Sequence, residues 1–278
     1  MGMRISTNVA SLNAQRVMTT NSREMQKSMA QLSTGSRITK AGDDAAGLAI
    51  SEGLKAEIRS LGQAGRNAND GISMIQTAEQ GMGEISNVMI RLRELGIQAS
   101  SDTIGDVERG FVQKEVDALK AEIQRVAEST SFGSRKLLDG TGGVYDIHVG
   151  TSAKSESTDW IAYDASITNV TTGNLEIGEL DFQSKEGARS GLNSLDAAIL
   201  AVNGSRANLG AMQNRLQTTG DVIATMSENL SAANSRIRDT DVASASSELA
   251  RNNVLLQGTT ATLSQANMFP QMALKLLG

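Results

Sequence analysis

Residues 54–75 read LKAEIRSLGQAGRNANDGISMI. Leu54, Ile58, Leu61, Gly65, Ala68, Ile72 and Ile75 fall at spacings 4-3-4-3-4-3. Alternating threes and fours is the repeat of a helix that presents one stripe to other helices. The stripe runs on through Ala78, Met82, Ile85, Met89 and Leu92, with two successive spacings of three at Ile75 and Ala78. Such a stammer overwinds the packing locally. Upstream, Asp43 or Asp44 can cap the helix and set a carboxylate at its positive end. From Asp44 to Ala99 it would be about 80 Å long at 1.5 Å per residue.

Working outward, Thr103 with Asp106 resembles a capping box. It would open a helix carrying Val112, Val116, Leu119, Ile123 and Val126. The link at residues 100–102 is short, so this helix should fold back on the first. The period returns near Glu186 with Leu192, Leu195, Ile199, Val202, Leu209, Met212, Leu216, Thr219, Ile223, Met226, Leu230, Ala233 and Ile237. Asn203-Gly204 is a turn signal by itself. The apolar phase nearly survives it, which predicts an unbroken helix.

Both chain ends carry weaker seams. The first has Ile5, Val9, Leu12, Met18, Met25, Met29 and Leu32, with a phase slip after Leu12. Many intervening residues are Asn, Gln, Ser and Thr, so this helix is marginal alone. Gly35 and Gly42 flank a non-helical stretch, Ser33 to Asp43. After a boundary at Arg238-Asp239-Thr240-Asp241, the last seam has Val242, Ala245, Leu249, Leu256, Leu263 and Ala266. It weakens toward Pro270, the single proline, and ends in Leu276 and Leu277. Between the helical halves, alternation at Tyr145, Ile147 and Val149, at Trp160 and Ala162, and at Leu175 and Ile177 predicts a small antiparallel sheet. Its polar loops would be Thr151–Thr158 and Ser166–Asn174. The predicted fold is mainly α: a long antiparallel helical rod with a terminal coiled coil and a small antiparallel β region in the middle.

Composition narrows the chemistry. The formal charge of −5 disfavours nucleic acid as a partner. No apolar run approaches the ~20 residues of a membrane span. The first 20 residues lack the apolar core of a cleaved signal peptide. There is no cysteine and one histidine, His148, so thiolate and His-pair metal sites are excluded. Gly81-Met82-Gly83 is a fragment of a dinucleotide loop with no strand before it. An enzyme needs titratable groups converging in a pocket, and these charges read as solvated. The expectation is a structural protein with no catalytic residues, cofactor or metal.

Longer motifs point further. They include Leu32-Ser33-Thr34-Gly35-Ser36-Arg37-Ile38 and Gly42-Asp43-Asp44-Ala45-Ala46-Gly47-Leu48-Ala49-Ile50-Ser51. Asn69-Asp70-Gly71-Ile72-Ser73-Met74-Ile75 follows. The C-terminal half has Leu209-Gly210-Ala211-Met212-Gln213-Asn214-Arg215-Leu216, Ser235-Arg236-Ile237-Arg238-Asp239 and Gln265-Ala266-Asn267. This set resembles bacterial flagellin over about residues 3–139 and 186–278. The sister family, the hook–filament junction protein, shares the terminal helices and is the alternative.

The resemblance implies a filament subunit for swimming motility, extracellular in the flagellum and exported by a type III apparatus without a cleaved signal. Residues 1–43 and 239–278 would form the two halves of an inner, tube-lining coiled coil. Residues 44–139 and 186–238 would form the helical rod, and residues 140–185 an outer β region. Coiled-coil assembly would rest on Ile5, Leu12, Leu32, Leu249, Leu256 and Leu263. The implied partners are further copies of the chain, an export chaperone on the C-terminal tail, and hook-associated and cap proteins. Arg91, Leu95 and Glu115 match positions that an innate-immune receptor contacts in the family.

Overall fold

The computed structural model of the chain describes residues 7–151 and 159–277, with the side chains of 269–277 outside the description. Ile5, all but Thr151 of the loop Thr151–Thr158, and the Leu276 and Leu277 side chains therefore lie outside the described residues. The elements in order are α1 (Val9–Thr34), α2 (Ala45–Ala99), α3 (Asp106–Ser129), β1 (Ser131–Phe132), β2 (Arg135–Lys136), β3 (Val144–His148), β4 (Trp160–Asp164), α4 (Lys185–Arg238) and α5 (Val242–Leu277). The chain divides into two compact units. One is Met1–Ala56 with Asn229–Gly278, the other Glu57–Glu228.

The unit of residues 57–228 is a helical core with a β hairpin. In α2, Leu61, Ala68, Ile75, Met82 and Met89 lie seven apart and are buried, as are Ala78, Ile85, Leu92 and Ala99. In α4 the buried residues Leu195, Val202, Leu209, Leu216 and Ile223 keep the same interval. The two helices run antiparallel. Arg93 pairs with Asp196 at 2.7 Å, while Ile223 lies against Gly65. Gly96 belongs to the α2 series: a Cβ there would stand 2.9 Å from Leu192 Cδ2 and 3.2 Å from Phe182 Cζ. Helix α4 passes through Asn203-Gly204 without a break, because seven-residue burial on both sides outweighs a local turn preference.

Helix α3 packs back on α2 as expected, but its start differs. The N-cap is Gly105, with no side-chain cap, and Thr103 pairs instead with the Ser101 hydroxyl. The buried Arg109 organises this turn. Its Nε donates to Ala99 O at 2.9 Å, Nη2 to Ser101 O at 3.0 Å and Nη1 to Asp106 at 2.7 Å. It thus satisfies carbonyls orphaned at the end of α2.

The β region is corrected in three respects. Strands β3 and β4 pair antiparallel with Ile147 opposite Ile161 and Tyr145 opposite Tyr163. Opposed residues share a face, so Ile161 and Tyr163 are buried rather than Trp160 and Ala162. A second short pair, β1–β2, was not expected. Leu175 and Ile177 are buried but form no strand: the chain turns tightly there, with Glu176 at φ 54°. Side chains of α3 take the backbone groups a strand partner would use. Gln124 Oε1 accepts from Thr172 N, and Gln113 Oε1 accepts from Phe182 N.

In the other unit α1 and α5 lie antiparallel. Asn8 Nδ2 donates to Ala266 O at 2.8 Å at one end, and Thr240 N donates to Gly35 O at 3.0 Å at the other. Gly35, at φ 68°, ends α1 in the left-handed conformation that glycine tolerates best. Asp44 Oδ1 accepts from Gly47 N and caps α2. Asp43 instead folds the preceding loop, accepting from Thr39 N, Thr39 Oγ1 and Lys40 N.

Candidate assembly surfaces

The pairing face of α1 is Ser11, Ala14, Met18, Asn21, Met25, Ser28 and Leu32, all buried or half-buried. That of α5 is Ala245, Leu249, Asn252, Leu256, Thr259, Leu263 and Ala266. Both alternate three and four. Each helix also alternates large with small or polar: Met18, Met25 and Leu32 against Ala14, Asn21 and Ser28, and three leucines against Ala, Asn, Thr and Ala. In the register set by the end contacts, Met18 and Leu256 share a level, as do Met25 and Leu249. Asn21 and Asn252 share the level between them. Small residues let the helices approach closely, and polar ones at a seam lower stability while fixing register.

Leu32, Leu249, Leu256 and Leu263 thus sit on the α1–α5 seam. Leu12 does not. It is 57 % exposed, like Val9 at 68 %, because the pairing stripe passes through Ser11 and Ala14. The expected slip in phase after Leu12 is a change of face. On α5 Val254 and Leu255 are exposed too, at 67 % and 45 %. The pair therefore has an inner seam of modest apolar content and large aliphatic side chains left exposed off the seam. These are its candidates for packing against protein.

Arg91 and Glu115 come together, at 2.9 Å between α2 and α3, with Glu94 3.0 Å from the same guanidinium. Glu115 first, then Glu94, raises the Arg91 pKa above its ordinary value. Leu95 is not part of that surface. It is 2 % exposed and belongs to the core below it. Lys185 lowers Asp102 and Arg93 lowers Asp196 in the same way, whereas Asp43 and Asp164 are lowered chiefly by hydrogen bonds from Thr39 and Ser166. Among the described residues only Tyr163 is shifted chiefly by burial, upward, while its hydroxyl meets Thr168 at 3.0 Å. His148 stacks on Trp160 at 4.2 Å, and its carbonyl accepts from Asn67. These groups hold elements together and do not converge on a common point. Among the described residues no helix is long and apolar enough to cross a membrane.

Sequence reasoning missed two features here. The small and polar members of the terminal seam carry no hydrophobic signal, although their seven-residue spacing was readable. The second is Arg37, which joins Ile237 across 200 positions of sequence.

Comparison with known proteins bears on the whole chain. Residues 5–142 match the bacterial flagellin N-terminal helical region, and residues 192–277 the bacterial flagellin C-terminal helical region. A flagellin of Halalkalibacterium halodurans is 42% identical over 275 residues, 99% of this chain and 100% of that protein. The flagellar filament 33 kDa core protein of Treponema phagedenis is 38% identical, again over 99% and 100%. The crystal structure of Bacillus cereus flagellin superposes with a TM-score of 0.51 at 29% identity, covering 61% of this chain and 94% of that one. A hook-associated protein structure from Vibrio parahaemolyticus, at 14% identity and TM-score 0.58, shares the fold.

Proposed function

Because the chain belongs to the bacterial flagellin family, we propose that the exposed backs of α1 and α5 are the surface through which its copies join. The protein is a structural subunit of the bacterial flagellar filament, an extracellular appendage. Residues 1–43 and 239–278 form its inner, tube-lining part. Residues 44–139 and 186–238 form the rod, and residues 140–185 face outward. One observation carries the reading: Leu12, Val9, Val254 and Leu255 are exposed on a helix pair whose own seam is already filled. A patch that meets a different patch on the next copy builds an open helix rather than a closed ring. Ile5, Leu12, Leu32, Leu249, Leu256 and Leu263 are the assembly residues. Leu12 acts directly, and the four seam leucines act by holding the pair that presents it.

Leu12→Asp with Val254→Asp tests this. Both are surface positions, so the chain should keep its helix content and lose seeded filament growth in electron micrographs. Filaments of normal length from the double variant would refute the reading.

On α5 the exposed Val242, Val254, Leu255 and Met268 support an export chaperone that covers the tail from Val242 by helix-in-groove contacts. Truncation after Asp241 should remove that binding in calorimetry. Export without a cleaved signal, and contacts with hook-associated and cap proteins, follow from the same family reading. The Arg91–Glu115 pair is the part of the receptor-like surface that is exposed, with Leu95 supporting it from beneath.

A further inference from the structure

We infer that the β3–β4 hairpin is the third wall of the rod where α3 has ended, and that Gly71 is the positioning residue that seats it. Helix α3 covers α2 only in part. It starts at the level of Ala99, whose carbonyl accepts from Arg109. Its C-cap Thr130 lies against Gly81, where a Cβ would stand 2.7 Å from the Thr130 hydroxyl. Toward its N-terminus α2 runs on past that end. Its stripe nevertheless stays buried at Ile75, Met74 and Ala68, as does Leu216 of α4. The hairpin closes this level. A Cβ on Gly71 would stand 2.6 Å from Ile147 Cδ1, 3.3 Å from Ile147 Cγ2 and 3.3 Å from Leu216 Cδ1. Three elements therefore meet where only a hydrogen fits on α2. One turn earlier, Asn67 Nδ2 donates to His148 O at 2.9 Å, next to Ile147. Gln63 Nε2 donates to Asn67 Oδ1 at 2.9 Å and holds that amide in place.

Gly71 belongs to the motif Asn69-Asp70-Gly71-Ile72, which reads locally as a turn, yet α2 passes through it unbroken. Glycine is unfavourable in a helix interior, and α2 carries several. Gly53, Gly62 and Gly83 have nothing within 4 Å of a Cβ, whereas Gly71 does. That difference separates glycines the helix tolerates from one its packing requires. On the hairpin, Ile147 pairs with Ile161, and both are buried. Further along the same face, the buried Tyr163 sets its hydroxyl 3.2 Å from Leu137 O. The hairpin is thus held by α2 at one end and by the segment after β2 at the other. The Ile147 plug fixes both its height along α2 and its distance from α4. On the reading that residues 140–185 face outward, Gly71 sets how the outer region rides on the rod. The seat lies wholly within the unit Glu57–Glu228, so the soluble chain suffices to test it.

Hydrogen exchange of the soluble full-length chain, followed by mass spectrometry, reads the seat directly. Gly71→Ala should speed exchange of residues 144–149 and 66–77 about tenfold, the scale of one extra methyl group in filled space. Residues 106–127 of α3 should be unchanged. Gly83→Ala, in the same helix but in open space, should leave all three segments as protected as before. Ile147→Val removes the Cδ1 that the new methyl group meets. Gly71→Ala with Ile147→Val should therefore recover most of the lost protection, whereas damage to the helix alone could not be repaired from the hairpin. Ile147→Ala with Gly71 intact opens the same level from the other side. It should speed exchange of residues 66–77 by a similar factor, a reading that stands even where Gly71→Ala does not fold. The proposal is overturned by a Gly71→Ala chain as protected as Gly83→Ala, by no rescue from Ile147→Val, or by an α2 indifferent to Ile147→Ala. Equal loss in α3 and in the hairpin would overturn it too. None of these measurements involves filaments, so their failure leaves the assembly reading untouched.

Discussion

The terminal helix pair and the core of residues 57–228 use the same seven-residue interval for opposite ends. In the core, α2 sets Ile75, Met82 and Met89 at 0 % exposure against the matching series of α4. In the pair, Ser11, Asn21 and Ser28 take positions that would hold leucine in a finished coil, while Leu12 and Val254 stay outside. Burying a large aliphatic side chain contributes about 1.5–3 kcal/mol. The core collects that at level after level, and the pair at roughly every other one. On the proposed reading, this subunit divides its apolar residues: one set fills its own seams, and a second, exposed set is left for the next copy.

The most severe way to break that division is to charge the seam. Leu256→Asp with Leu263→Asp places two unpaired carboxylates on the α1–α5 face. An uncompensated buried charge costs on the order of 3–5 kcal/mol, less where water still reaches it. The pair has little stability to lose, so filaments should vanish from pelleting assays. The unit of residues 57–228 should stay folded, as judged by the emission of Trp160 against His148. Loss of that emission change together with assembly would mean the two regions fold as one.

Matched truncations sharpen the comparison. Leu92→Ala removes a side chain with no exposure and should cost about 2–5 kcal/mol. Leu249→Ala removes the same atoms from a half-buried level and should cost about 1 kcal/mol. Urea unfolding followed by far-UV dichroism and by Trp160 emission separates them. The first variant should move the fluorescence midpoint, and the second only the dichroism. Equal costs would show that the terminal seam is as well packed as the core.

Legibility followed the same divide. The α2 and α4 stripes could be read because their buried members are large and apolar, so periodicity and burial coincide. The terminal pairing face could be read only in part: Met18, Met25, Leu32, Leu249, Leu256 and Leu263 show it, whereas Ser11, Asn21 and Thr259 look like surface until a partner helix is laid on them. Leu12 was placed on the seam for the complementary reason: it is apolar and one position off. In β4 both faces carry bulky residues, Trp160 on one and Tyr163 on the other, and only the register against β3 decides between them. The Arg109 turn and the Arg37 bridge depend on side chains reaching distant carbonyls, for which local sequence carries no period. Among the surface candidates, the burial of Leu95 was legible, as it continues the α2 stripe from Leu92 toward Ala99.

Filling the polar level should act in the opposite direction to truncation. Asn21→Leu with Asn252→Leu replaces facing amides by aliphatic groups, and one such level should stabilise the pair by about 1 kcal/mol. The dichroism midpoint in urea should rise while the Trp160 midpoint stays. A fall would show that the two amides stabilise each other by more than their burial costs.

Acid supplies the smallest and most selective effect. The pKa of Asp43 is lowered by its bonds from Thr39 and the Lys40 amide, and that of Glu52 by Arg238. Both groups lie in the unit that holds the terminal pair. A carboxylate whose folded pKa is depressed stabilises the fold above its unfolded value, and that contribution fades as pH falls through the folded one. The terminal unit should therefore loosen progressively below about pH 4. Both groups are solvent-exposed, so the change should be small. Salt distinguishes the two contributions. The Glu52–Arg238 pair is screened by added salt, whereas the Asp43 loop is held mainly by direct hydrogen bonds and has only the longer 3.8 Å pair with Lys27 to screen. Glu52→Gln should therefore flatten the salt dependence of the acid transition and leave its Asp43-linked part in place. Monitoring the dichroism midpoint between pH 3 and 7 at low and high salt tests this. A Glu52→Gln chain with undiminished salt sensitivity would show that other charges govern the response.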